Sequence, residues 1–319
     1  MLKILGKRLV SSLAVLFVVS LITFFILKWI PGDPAQLILG TEASQESLEA
    51  LRESMGLNQP WLTQYGNWLV NLFRGDWGSS YIYGESVRTL ILQRLPVTFS
   101  ITIFSMLIAV PVAALIGILS ALFKDSPIDV FSRSIMQLGT AIPSFWLGMI
   151  FMIIFAANLQ WFPVTGYVPP SDGFLPFLHS IALPSIVLAI GELGILIRLF
   201  RSSMLTALEQ DFMQSAQVKG LSRATAIVKY ALRSAVIAPI TVIGNQTAKL
   251  FGGTVIIETI FALPGIGRLL LTSVEQRDIE LLQGIVLFIT FMVVFINLIT
   301  DLLVAAANPL IRMETGGKD

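Results

Sequence analysis

The 319 residues are 55% apolar and only 13% charged, with a mean hydropathy of +0.81. Soluble chains carry about a quarter charged residues, so this composition points to a membrane protein. The 21 basic and 20 acidic residues leave a net charge of +1, which gives no general electrostatic reason to bind nucleic acid. Zero cysteines exclude disulfides, iron–sulfur clusters and thiolate metal sites, and the single His179 cannot build a multi-histidine metal centre.

A membrane-crossing helix needs about 20 mostly apolar residues, so the spacing between charges places the spans. Six are expected. The first, 9–30, holds Lys28 near its end, where a long stem can snorkel to the interface. It has no small-residue cleavage site and reads as an uncleaved anchor rather than a signal peptide. The second, 97–123, has a kink site at Pro111. The third covers 135–157 and the fourth 178–200, the latter containing Glu192. The fifth, 235–261, carries Lys249 and Glu258, and the sixth fills the uncharged run between Glu280 and Asp301.

Basic residues concentrate in cytoplasmic connections. An inside N-terminus places 13 of them on the cytoplasmic side, among them Lys7, Arg8, Arg201, Lys219, Arg223 and Arg312, against six outside. Both termini are therefore expected in the cytoplasm. The resulting order is a cytoplasmic start and first span (1–30), an external region (31–95), a transmembrane core (96–310) with a cytoplasmic loop at 201–233, and a tail (311–319).

Two connections exceed what joining spans requires. The external one has seven acids, four bases and the aromatics Trp61, Tyr65, Trp68, Phe73 and Trp77. It reads either as a small helical cap at the membrane surface or as a docking face for an external partner. Within it the helix-like run 41–55 is stopped by Gly56-Leu57-Asn58-Gln59-Pro60. The cytoplasmic loop reads as two short amphipathic helices. Leu208, Phe212 and Ala216 recur every four residues, Gly220 suits a left-handed stop, and Ser222 suits the next cap. Ala224, Ile227, Val228, Ala231, Leu232 and Ala235 then form an apolar stripe that needs either a lipid surface or a groove on a cytoplasmic protein.

In this loop Gln214-Ser215-Ala216-Gln217-Val218-Lys219-Gly220 resembles the Glu-Ala-Ala-x-x-x-Gly signature of ABC-importer permeases. The likeness runs along the chain in order. Ile30-Pro31-Gly32-Asp33-Pro34-Ala35, Gly75-Asp76-Trp77-Gly78 and Arg94-Leu95-Pro96 are similar to the first half of the dipeptide, oligopeptide and nickel permease family. Pro143-Ser144-Phe145-Trp146, Lys219-Gly220-Leu221-Ser222, Gly252-Gly253, Glu258 and Pro264-Gly265 are similar to the second. Gln214 and Ser215 depart from the acidic and first alanine positions, and Asn308-Pro309 stands where many relatives have Asp-Pro.

The resemblance implies an all-α, six-span permease of the type I ABC importer fold in the bacterial inner membrane. It also implies a second homologous permease, two cytoplasmic ATPases that hold ATP and Mg, and an external solute-binding protein, all within membrane lipid. Gln214, Ser215, Ala216, Gly220, Leu221, Ser222 and Arg223 would form the ATPase-coupling loop. Short peptides are the implied solute, with nickel or another metal chelate, or glutathione, as alternatives. No cofactor or metal site of its own is expected. Independently, the sequence has no Gly-x-x-x-x-Gly-Lys-Ser/Thr phosphate loop and no hydrolase motif, so it reads as a subunit without its own ATPase site or other enzymatic chemistry.

Charge within a span costs at least about 2.5 to 3.5 kcal/mol per residue on insertion scales. Glu258 and Asp301 lie near span ends and are read as interface or partner contacts, His179 likewise. Glu192, deep in the fourth span, and Lys249 are the candidates for the translocation path, either paired with each other or facing a substrate's charged ends; a structural pair at a subunit interface is the alternative. A proton-coupled secondary transporter using Glu192 is the rival function.

Overall fold

A computed structural model describes residues 2–29, 33–40 and 43–307. The Ile30-Pro31-Gly32 stretch, Thr41, Asn308-Pro309 and the tail with Arg312 lie outside the described residues. Among the described residues regular structure is helical, apart from one isolated bridge between Ser79 and Ser86. In chain order the helices are α1 (Leu2–Trp29), α2 (Pro34–Leu39), α3 (Gln45–Ser54), α4 (Trp61–Phe73), α5 (Val87–Leu122), α6 (Pro127–Ala141) and α7 (Ser144–Phe151). Then come α8 (Phe174–Leu208), α9 (Asp211–Val218), α10 (Arg223–Ala226), α11 (Leu232–Gly253), α12 (Val255–Ile260), α13 (Ile266–Glu275) and α14 (Ile279–Ala307). A π-helical stretch (Met152–Asn158) prolongs α7, and another (Ile227–Ala231) fuses α10 to α11.

Among the described residues five stretches are long and apolar enough to cross a bilayer: α1 from Arg8, α5, α8, the fused Arg223–Gly253 run, and α14. The sixth expected span is not one straight helix. α6 and the α7 stretch meet at 97°, so the count reaches six only if this bent pair is one span. The break sits at Ile142-Pro143, where Ile142 is extended at φ −86° and ψ 120°. A residue before proline is pushed out of the helical region, and proline has no N–H to continue the ladder.

Other boundaries move for equally local reasons. α5 starts at Val87, so the expected start near 97 falls inside the helix. The expected fifth span stops at Gly253, because Thr254 ends α11 and α12 is a separate short helix.

The chain divides into two compact units. One comprises 97–264 and 293–307. Its core centres on α8, whose Leu196, Ile197 and Val187 are fully enclosed with Ile101 of α5 and Ile257 of α12. Helix backbones approach closely here because glycines face them. A Cβ on Gly117 would lie 2.7 Å from the Ile197 carbonyl oxygen, and one on Gly194 would lie 2.8 Å from that of Met136. By contrast, a Cβ on Gly253 meets nothing within 4 Å.

The second unit comprises 2–96 and 265–292. Asp33 caps α2 by accepting from the Ala35 N–H, Ser44 caps α3, and Arg52 ties the two helices through an ion pair to Asp33 at 2.6 Å. α3 ends before Gly56, whose φ of +67° suits glycine. Tyr65 and Trp68 of α4 fold onto α1, with ring centroids 5.3 and 6.0 Å from Phe24, and the Tyr65 hydroxyl lies 2.7 Å from that of Ser20. Trp61 and Phe73 stay exposed, so the external aromatics divide between packing and surface. Most of α1 is otherwise uncovered, with Leu9, Val10, Leu13, Phe17 and Ile22 exposed. Ser80 donates to the buried Asp278 carboxylate at 2.5 Å. Tyr81 donates to the Gln276 carbonyl, and burial pushes its phenol up, reinforced by the charge of Asp278.

Candidate functional site

The loop flagged by Gln214 to Arg223 is built as a two-sided bracket. α8 ends at Leu208, α9 turns back over it, and Met213 and Ala216 on the inner face join Ala121, Met204, Ala207, Ala226, Ala231 and Ala235 in a small core. Phe212 and Tyr230 meet across the bracket with ring centroids 6.5 Å apart. Gly220 takes the left-handed conformation at φ +76°. The N–H of Leu221 then donates back to the Ala216 carbonyl at 3.1 Å, while the Leu221 side chain packs on the same core. This is the hydrogen bond and apolar contact of a Schellman stop. Ser222 accepts from the Thr225 N–H at 3.2 Å and opens the next helix.

The outer face of the bracket carries Gln214, Ser215, Ser222 and Arg223, all exposed, with Val218 at 89% exposure between them. The sequence-based stripe beyond Ser222 needs correction: Ala224 and Val228 are exposed and Ala226 is buried. The π turn at Ile227–Ala231 shifts the helical phase, so a 3.6-residue count assigns the wrong faces before it.

No direct salt bridge joins Glu192 and Lys249, although the Lys249 charge acts on the Glu192 carboxylate. Glu192, 8% exposed, accepts at 2.6 Å from Nε2 of Gln246, which lies one turn before Lys249 on α11. Lys249 itself is exposed on the surface of this chain. Counting charges alone misses Gln246, because a neutral amide leaves no mark in a charge inventory. Glu258 is also corrected. Fully buried, it accepts from Thr98 Oγ1 at 2.6 Å and Thr254 Oγ1 at 2.8 Å, so its contacts lie within this chain. His179 uses Nε2 on the Trp161 carbonyl at 2.7 Å and stacks on Phe162.

One set went unrecognised in the sequence. Asp129, at 0% exposure, sits at the start of α6 and accepts both Nε (2.8 Å) and Nη2 (3.0 Å) of Arg201. Ser120 of α5 donates to the same carboxylate at 2.6 Å, the Asp125 N–H at 3.1 Å, and Arg133 stands at 3.3 Å. Three helices are thereby fastened where α8 runs toward the bracket. Arg201 reads in sequence as one more loop base, and only the fold brings it to Asp129.

With this geometry in hand, the comparisons are direct. Residues 113–313 match the family model described as binding-protein-dependent transport system inner membrane component, and residues 1–102 match its N-terminal companion. A peptide transport system permease protein of Brucella abortus is 41% identical over 97% of this chain and 98% of its own. The glutathione transport system permease protein of Escherichia coli is 36% identical over 98% of this chain and 100% of its own. A crystal structure of an amino acid ABC transporter aligns with a TM-score of 0.51 at 18% identity, covering 68% of this chain and 93% of that one, which supports the all-α permease fold. The apolar helices, the type I permease architecture and these matches agree: the chain belongs to the family of inner membrane components of binding-protein-dependent transport systems, and is an ABC importer permease that works within a larger transporter assembly.

Proposed function

We propose that this chain is one of two permease subunits of an ATP-driven importer, and that it forms half of a path for short peptides delivered by an external solute-binding protein. The observation that supports the solute is the 41% identity, over nearly the full length, to a permease named for peptide transport. Glutathione is the second reading, supported by the 36% identical relative named for it; a metal chelate stands behind both.

Both termini and the 201–233 bracket face the cytoplasm in this reading, and the region from 31 to the start of α5 faces outside. Two cytoplasmic ATPases bind ATP and Mg and grip the exposed Gln214, Ser215, Val218 and Arg223, while Ala216 and Leu221 anchor the bracket and Gly220 and Ser222 set its bend. This chain supplies no ATPase site. ATP-driven closure of the ATPases moves the bracket, and the bracket rocks the spans against a second homologous permease. In this reading Glu192, bonded to Gln246, lies on the path, and exposed Lys249 faces the path or the partner permease.

The test is reconstitution of the complete transporter in proteoliposomes with labelled Ala-Ala. Uptake that requires ATP and binding protein, and that excess nickel chelate or glutathione fails to displace, supports the reading. Uptake that follows a proton gradient without ATP overturns it in favour of a secondary transporter.

A further inference from the structure

The unit formed by 2–96 and 265–292 lines a partly open cavity of about 690 Å³, between α1, the 53–79 segment and the start of α14. That volume lies in the usual range for small-molecule sites. Its wall carries opposed charges: the ammonium of Lys28 from α1 and the carboxylate of Glu280 from α14, with Asp76 and Glu53 adding acidity.

Glu280 is held in place by the Gly75-Asp76-Trp77-Gly78 turn. Its Oε2 accepts from the Ser79 N–H at 2.8 Å, and Asp76 Oδ1 accepts from the Gly78 N–H at 3.0 Å. Gly78 stands at φ +83°, and a Cβ there would lie 2.3 Å from Glu280 Oε2. Glycine thus leaves the space the carboxylate occupies. Lys28 gives one of its three protons to Gln64 Oε1 at 2.5 Å, leaving two donors.

The decisive observation is Gln283, one turn after Glu280 on the same helix. It lines the cavity, is 5% exposed, and its Nε2 has no hydrogen-bond partner. A buried donor without an acceptor costs free energy unless something fills the role. Together the wall offers an acid for an ammonium, and an ammonium plus an amide N–H for an oxyanion.

We propose that this cavity binds a small amphoteric molecule, a short peptide with both termini free. The peptide's ammonium sits on Glu280 and its carboxylate on Lys28 and Gln283. The site lies outside the Glu192 and Lys249 region. It rests on the proposed function only in taking peptides as the ammonium-and-carboxylate source.

The experiment uses the assembled transporter in nanodiscs of phosphatidylglycerol, which carries no headgroup ammonium, without binding protein or nucleotide. Equilibrium dialysis compares Ala-Ala, N-acetyl-Ala-Ala and Ala-Ala-amide. Ala-Ala is expected to bind about tenfold or more tightly than either blocked form, the scale of one lost charged hydrogen bond. Glu280→Gln should weaken Ala-Ala without changing N-acetyl-Ala-Ala, and Gln283→Leu should weaken Ala-Ala without changing the amide. Equal binding of all three probes, no binding of Ala-Ala to the native transporter, or variants that leave Ala-Ala unaffected would overturn the site. If Gln283→Leu fails to assemble, Gln283→Met, closer to glutamine in shape, replaces it, because only a change at this cavity separates it from the Glu192 path. ATP-driven uptake of Ala-Ala is measured separately, so failure of the peptide reading and failure of this site give different patterns.

Discussion

Arg201 grips Asp129 with two parallel hydrogen bonds, Nε to Oδ1 at 2.8 Å and Nη2 to Oδ2 at 3.0 Å, around a carboxylate shielded from solvent. A planar guanidinium fits both carboxylate oxygens at once, which an ammonium cannot do. Removing Arg201 leaves the buried Asp129 carboxylate with only Arg133, Ser120 and the Asp125 N–H, a loss of about 1 to 3 kcal/mol. Arg201→Ala should therefore lower the melting temperature of the purified complex sharply, and Arg201→Lys should recover only part of it. A melting temperature unchanged in both would show that the clasp contributes nothing to stability.

Gly220 gives a second prediction. Nothing lies within 4 Å of a Cβ built there, so its constraint is the φ of +76° rather than space. Gly220→Pro cannot adopt that angle. The subunit should still insert and assemble, while uptake and binding-protein-stimulated ATP hydrolysis fall to background. Survival of both activities would reject the bracket as the lever.

Glu192→Gln keeps the side chain's size and an acceptor for Gln246 but removes the charge. Uptake should fall by about tenfold, the scale of one charge-assisted hydrogen bond, or the preference among peptides of different net charge should change. Unchanged uptake and unchanged preference would take Glu192 off the path.

Two glycines should behave in opposite ways. At Gly194 a Cβ would meet the Met136 carbonyl oxygen at 2.8 Å and Thr140 Cγ2 at 2.9 Å. Gly194→Ala is expected to cost about 1 to 3 kcal/mol, as overpacking usually does. Gly253→Ala, with open space around it, should leave stability within about 0.5 kcal/mol. Thermal unfolding of the two variants side by side checks the contrast.

What was legible in the sequence follows from how local its causes are. Apolar runs of about 20 residues announce α1, α5, α8 and α14, since the bilayer sets a minimum length; that α5 and α8 run to 36 and 35 residues is not announced. The Gly220 stop and the Ser222 cap were readable because each acts within a few residues. The bend at Ile142-Pro143 was missed because an uncharged run says nothing of direction. The π turn at Ile227–Ala231 depends on packing against α8 and α9, so no period in the sequence reports it. Glu192 and Glu258 stood out as charges in apolar surroundings, but their partners are neutral, and Gln246 and Thr98 come from other helices while Thr254 lies one turn before Glu258. Gln283 gave no signal, since an amide draws notice only once its neighbours are known to leave it unpaired.

α1 holds to the rest of its unit mainly through Ser20, Phe24 and Lys28, while Leu9, Val10, Leu13, Phe17 and Ile22 look outward. Much of its folding free energy is therefore supplied by whatever surrounds it rather than by its own polypeptide. An extracted single subunit is in this sense an unfinished object: its apparent robustness would track the chosen detergent, and only the embedded whole has a stability that belongs to the protein.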